Sequence, residues 1–201
     1  MALLAGAWRL LAVLLAALLL GNALPAAAQE MPRIFVGRVA DASGVDALIA
    51  VVVEPGGNAV AYACSKDDGW NQQYSKWFQG QLTSGGQLSA KANDGAEISG
   101  SLQGTTLSGR LGSMSWSADL VTSGSAGLYR GQLGDEVHAV IEAPDGTRVG
   151  RVWSVSTGGH VGTWDFTTAT AAPLAGGLRV QRNEPQFIAV ELRACMNAFC
   201  E

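Results

Sequence analysis

From Ile34 onward, apolar and polar side chains alternate with a period of two in short segments, and Gly, Asn, Asp or Ser separates one segment from the next. That period belongs to strands, in which successive side chains point to opposite faces. Eight strands are expected, at 34–40, 47–54, 59–64, 77–83, 87–92, 97–102, 106–111 and 114–122. They occupy 89 residues, about eleven per strand, which is the spacing of meandering sandwiches and barrels. The connections Pro55-Gly56-Gly57-Asn58, Ser84-Gly85-Gly86, Asn93-Asp94-Gly95 and Gln103-Gly104-Thr105 supply residues that tolerate positive φ in tight turns. None is long enough for the crossover a parallel pair needs, so sequence neighbours pair antiparallel.

A second pattern, apolar-x-Gly-x-apolar, occurs five times: Phe35-x-Gly37-x-Val39, Phe78-x-Gly80-x-Leu82, Ile98-x-Gly100-x-Leu102, Leu107-x-Gly109-x-Leu111 and Tyr129-x-Gly131-x-Leu133. In each, the Gly faces the same way as its flanking hydrophobes. Glycine inside a strand costs stability, so the repetition requires a reason. A missing Cβ on the concave face lets a sheet coil sharply, or lets a bulky side chain cross over it. Trp77, Trp116 and Trp153 are the expected bulky partners. Ser99, Ser101, Ser108, Arg110, Ser115, Ser117 and Asp119 take the outward positions and suit a solvated face. The fold class that follows is all-β, an antiparallel meander forming a small barrel or sandwich, with a loop-rich C-terminal extension.

Alternation continues at 127–133, 136–143 and 148–154, with Pro144-Asp145-Gly146 as a hairpin turn. Residues 156–177 are rich in Gly, Thr and Ala without a sustained period, which predicts loop. Ile188, Val190, Leu192 and Ala194 alternate again and predict a final strand over 187–194. The expected organisation is a barrel or sandwich domain at 29–155, a loop or linker at 156–185, and a C-terminal strand with a Cys-containing tail at 186–201.

The first 28 residues stand outside this pattern. A weakly basic start with Arg9, an unbroken Leu, Ala and Val run at 10–20, and Ala26 and Ala28 after Pro25 follow the order of a secretory signal peptide cleaved after Ala28. Eleven apolar residues reach about 16 Å as a helix, half of a ~30 Å hydrocarbon core, which disfavours a retained anchor. The expected location is secreted or periplasmic, without stable membrane insertion after cleavage. The 201 residues include 13 basic and 17 acidic ones, net −4, and removal of Arg9 makes this −5. The basic residues are scattered singly and build no stripe to neutralise a phosphate backbone, so nucleic acid is not an expected partner.

Cys64, Cys195 and Cys200 all follow the signal segment, and an oxidising compartment pairs thiols within reach of each other. Cys195 with Cys200 closes a short loop over Met196 to Phe199 and is the expected disulfide; Cys64 with either would tie the tail back to the body. Left single within Val60-Ala61-Tyr62-Ala63-Cys64, Cys64 reads as a buried small hydrophobe.

Asp46-Ala47-Leu48-Ile49-Ala50-Val51-Val52, Val60-Ala61-Tyr62-Ala63-Cys64, Trp77-Phe78-Gln79-Gly80, the Gly95-Ala96-x-x-Ser99-Gly100 and Leu107-x-Gly109 hairpins and Gly127-Leu128-Tyr129-Arg130 together resemble a recurrent, uncharacterised β-rich domain of secreted bacterial proteins. The resemblance covers 34–153 and stops before the tail. It departs in one place: the family has an Asp-Gly turn soon after the Cys, whereas here Ser65 to Tyr74 makes a longer loop containing Asp67-Asp68-Gly69-Trp70. The resemblance implies a β fold and an extracytoplasmic location, and it transfers no catalytic residue.

Candidate chemistry is sparse. His138 and His160 are the imidazole bases, and no G-x-S-x-G elbow accompanies them. Two Cys separated by four residues, without a nearby His, point to a disulfide rather than zinc. Asp67-Asp68-Gly69-x-Asn71 brings oxygens together but lacks the alternating order and terminal Glu of a calcium loop. No metal and no cofactor is expected. Asp135, Glu136, Glu142 and Asp165 are the carboxylates for general acid and base work on a glycoside. Trp70, Tyr74, Trp164 and Phe166 lie among polar residues and Gly, where exposed rings stack on sugars or partner side chains; these four are the expected ligand-binding residues.

The expected function is a non-enzymatic module that binds a small molecule, an envelope polymer or a protein through loops at one end. A secreted hydrolase of glycoside or ester type, acting through carboxylates, and a structural envelope domain are the alternatives. An enzyme brings acids, or a His and an acid, within hydrogen-bond reach of one cleft, whereas a structural domain has no deep cleft.

Overall fold

The computed structural model describes residues 31–40, 44–166, 169–174, 177–183 and 187–195; the expected signal segment lies outside the described residues. The first eight strands are β1 (Arg33–Ala40), β2 (Ala47–Val53), β3 (Asn58–Ser65), β4 (Trp77–Leu82), β5 (Gln87–Lys91), β6 (Glu97–Gln103), β7 (Thr106–Leu111) and β8 (Met114–Leu120), with one short helix, α1 (Asp68–Tyr74), between β3 and β4. Each strand pairs antiparallel with the next, and β1 also pairs with β8, placing Gly37 opposite Ala118 and Val39 opposite Trp116. The meander is therefore a closed barrel, and its strand bounds follow the alternation closely.

Close approach of neighbouring main chains makes that closure possible. A Cβ on Gly37 would lie 1.9 Å from the Ser117 carbonyl oxygen, one on Gly109 1.9 Å from Ser99 O, and one on Gly80 2.0 Å from Ser89 O. No side chain larger than hydrogen fits at such distances, so the sheet coils where these glycines stand. At Gly100 the obstacle is partly a ring, since a Cβ would meet Trp116 Cζ2 at 2.8 Å. Trp116 thus crosses over Gly100 inside the barrel, where Phe35, Ile49, Val51, Phe78, Ile98 and Leu107 pack as its core.

The outer wall differs from side to side. Along β8 buried and exposed residues alternate strictly, with Ser115, Ser117 and Asp119 in solvent. Along β2 every residue from Ala47 to Val53 is buried, because a second sheet covers that side. A strand covered on both faces carries an unbroken apolar run rather than alternation. The second sheet consists of β9 (Gly127–Leu133), β10 (Glu136–Glu142), β11 (Arg148–Ser154), β12 (His160–Thr163), β13 (Thr170–Leu174), β14 (Gly177–Asn183) and β15 (Phe187–Ala194), in the spatial order β12-β11-β10-β9-β15-β14-β13. Its Leu128, Ala139, Ile141 and Val149 meet Val36, Leu48, Val52 and Tyr62 on the outside of the barrel.

Several expectations are corrected here. The stretch 156–177 is not simply a linker: it contains β12, all of β13 and the first residue of β14, and the boundary expected after 155 falls inside the second sheet. β12 has only four residues and pairs irregularly beside Val152 and Trp153. β13 contains Pro173 and lies at the sheet edge, where a strand tolerates a missing N–H. The fifth glycine motif lies in β9 of the second sheet and not in the barrel, and its Leu133 is 48% exposed. Trp77 and Trp153 do not cross the barrel interior. They pack outside it around Tyr62, with ring centroids 4.5 Å apart for Tyr62–Trp77 and 6.0 Å for Trp77–Trp153.

Gly37→Ala and Gly109→Ala each drive a methyl group into a carbonyl of the adjacent strand and are expected to cost about 3 kcal/mol or more. Gly162→Ala is the matched control, since nothing lies within 4 Å of its added Cβ, and it should change stability by less than about 0.5 kcal/mol. Urea unfolding midpoints of the three variants check the contrast.

Candidate functional site

Polar side chains converge at the barrel end closed by α1. Asp67 precedes this helix in extended conformation, and its carboxylate accepts from Trp70 N at 2.6 Å. That N-cap turns the chain inward and carries Trp70 into the barrel core, 4% exposed. Asn71, fully buried, uses its whole amide: Oδ1 accepts from Ser65 N at 2.9 Å, and Nδ2 donates to Ser65 O at 2.9 Å and to Thr163 Oγ1 at 3.1 Å. Thr163 in turn donates to Asp68. From β11, Arg151 reaches the far end of the helix and donates through one nitrogen to Asn71 O at 3.1 Å and Ser75 O at 2.6 Å. Its Nε donates to His160 Nδ1 at 2.8 Å, and His160 Nε2 lies 3.3 Å from Asp68 Oδ1.

Two cavities open beside this network. One, of about 240 Å³, is lined by Lys66, Asp68, Thr163, Trp164 and Asp165. The other, of about 260 Å³, is lined by Val45, Asp46, Lys66 and Asp67. Lys66 is exposed and forms the wall common to both. Asp46 pairs with Arg38, Asp67 caps the helix, and Asp68 is engaged by Thr163 and His160.

The four expected aromatic residues do not form one exposed platform. Trp70 is buried in the barrel, and Tyr74 is half-buried against it, 5.3 Å from Trp70 between centroids. Trp164 is 1% exposed and lies against His138 of the second sheet, with Phe166 stacked on it at 6.0 Å. Their polar neighbours in the sequence suggested exposure; instead the rings fill gaps that the short helix and the last loop would leave open. Of the four, Trp164 alone borders a cavity described above. Lys66, Arg151 and Thr163 carry no sequence signal for this site, whereas Asp68 belongs to the Asp67-Asp68-Gly69-x-Asn71 run and His160 is one of the two imidazoles.

Of the carboxylates expected for hydrolysis, Asp165 lines the 240 Å³ cavity beside Asp68, and the other three belong to β10 and the turn before it. Glu136 and Glu142 stand six residues apart on β10, roughly 20 Å, beyond the separation at which two carboxyls flank one glycosidic bond. Glu142 is buried and paired with Arg148 at 2.8 Å. Asp135 accepts from Ser154 Oγ at 2.6 Å and from Ser156, and these bonds hold its carboxyl below the usual range.

Cys64 is free and fully buried, as expected of a small hydrophobe, and the alternative bridge from Cys64 to the tail is excluded. Cys195 is buried in the seam between the sheets, and Cys200 lies outside the described residues. No family model matches the chain, and comparison with curated proteins and with solved structures finds no match.

Burial pushes the Cys64 thiol from its ordinary 9.0 up to about 12, so the folded state holds this proton more tightly than the unfolded chain. Stability from this group is complete below about pH 9 and falls as pH rises toward 12, by up to about 1.4 kcal/mol per unit. Cys64→Ala should flatten this alkaline slope. A thiol-reactive probe at pH 8 should label Cys64 only in denaturant, and rapid native labelling would contradict the burial.

Proposed function

We propose that this protein is a non-enzymatic extracytoplasmic module that binds a polar ligand, envelope component or protein partner through the α1 end of the barrel. The observation that carries the proposal is the pair of cavities sharing Lys66 at the end where polar side chains gather. Side chains occupy the barrel interior, so recognition falls to the surface. Lys66 offers an ammonium with no ion pair or hydrogen bond among the described residues, and Asp68, Thr163 and Asp165 offer polar groups across from it. The signal segment expected at 1–28 and the resemblance to secreted bacterial β-rich domains support the compartment. A Cys195–Cys200 disulfide belongs to the same proposal, and non-reducing mass spectrometry of the tail tests it.

The hydrolase alternative draws on one place where a histidine, an acid and a hydroxyl meet: His160, Asp68 and Thr163. A triad needs a ring nitrogen free to take a proton from the nucleophile. Here Nδ1 accepts from Arg151, Nε2 faces Asp68, and the Thr163 hydroxyl donates to Asp68 instead of the ring. That arrangement suits a structural tie better than a base.

Titration of ¹⁵N-labelled protein with soluble muropeptides and envelope oligosaccharides tests the proposal. Shift changes are expected at 45–46, 66–68 and 163–165, and Lys66→Glu should weaken binding about tenfold or more. Changes confined to the β5–β8 wall, or undiminished binding by Lys66→Glu, would contradict it.

A further inference from the structure

α1 closes the barrel from one side and is gripped from the other by the second sheet. The grip runs through two side chains in series. Arg151 holds the carbonyls of Asn71 and Ser75 at the end of the helix, and through Nε it donates to His160 Nδ1 at 2.8 Å. A ring nitrogen that accepts a hydrogen bond carries no proton, so the imidazole here is neutral with its hydrogen on Nε2. That Nε2 faces Asp68 in the first turn of α1 at 3.3 Å. Imidazole and guanidinium together therefore span the helix from its first turn to its last.

We propose that this span is a proton-sensitive clamp: α1 stays docked on β11 and β12 while His160 Nδ1 is unprotonated, and docking loosens when that nitrogen takes a proton. The charged groups facing the ring are Asp68 from α1 and Arg151 from β11; Lys66 and Asp165 line the adjoining cavity. Asp68 attracts an imidazolium. Arg151 cannot accommodate one, because a guanidinium does not give up its proton and its N–H would face a second N–H across a hydrogen-bond distance. The added proton therefore removes the Arg151 bond to the ring and frees the guanidinium to leave the helix carbonyls. The bonds from Asn71 to Ser65 and Thr163 remain, so the outcome is loosened docking rather than unfolding. Asp68 and Thr163 also wall the 240 Å³ cavity, so the same event reshapes that wall; this consequence rests on the binding proposal, while the clamp itself does not.

Hydrogen exchange of peptides covering 66–76, corrected for intrinsic rates, tests the clamp at about pH 7.5 and at about pH 5.5, with the protonation of His160 at each value read from its ring nitrogen shifts. Protection of α1 in the wild type should fall about tenfold at the lower pH, the worth of one charged hydrogen bond, with the barrel strands unchanged. His160→Gln keeps an amide that accepts from Arg151 and donates to Asp68, and should retain α1 protection at both values. Equal wild-type protection at both values, or an undiminished loss in His160→Gln, overturns the clamp. Nitrogen shifts of His160 in the wild type at about pH 7.5 decide independently of any variant: a ring protonated on Nε2 supports it, and one protonated on Nδ1 overturns it.

Discussion

Where β1 meets β8, β4 meets β5 and β6 meets β7, main chains lie closer together than any side chain permits. A Cβ at Gly37, Gly80 or Gly109 would stand within 2.0 Å of a carbonyl oxygen on the adjacent strand. That constraint sets the curvature of the sheet and so the width of the barrel. In a barrel this narrow, a few large side chains complete the interior, and Trp116 laid across Gly100 is the largest of them among the barrel strands.

The remaining architecture follows from having no room inside. One flank of the barrel, β1 to β3, is apolar outside as well as inside, and burial there depends on the second sheet. The seam is chiefly hydrophobic along its length and polar at one end, where Arg151, His160 and Thr163 of the second sheet meet α1 of the barrel. Buried polar groups at such a junction are stabilising only when fully bonded, and Asn71 meets that condition. The same end holds the cavities, so the features that join the two sheets also shape the surface offered to a partner.

Much of this architecture was legible in the sequence, and the limits have physical causes. Strand alternation and the repeated glycines of the first four motifs are local properties, and both appear in the barrel at the expected positions. α1 is hidden in the sequence because seven residues complete too few turns to display a helical period, although Asp67 as N-cap with Trp70 and Tyr74 on one face is a usable signal. β13 was obscured by Pro173, which an edge strand tolerates. The candidate site was hardest to foresee: Asn71 and Arg151 are 80 residues apart, and only the packing of the second sheet on the barrel unites them. Polar flanks around Trp70 and Trp164 suggested exposure because flanking polarity reports on the chain's neighbours, not on the direction a ring takes.

Nuclear Overhauser effects across the closing strand pair test the central claim most directly. Closure places Gly37 opposite Ala118 and Val39 opposite Trp116, so backbone cross-peaks between these residues should appear with the pattern of an antiparallel pair. Their absence, together with unprotected amides along both β1 and β8, would mean an open sheet and would contradict the account.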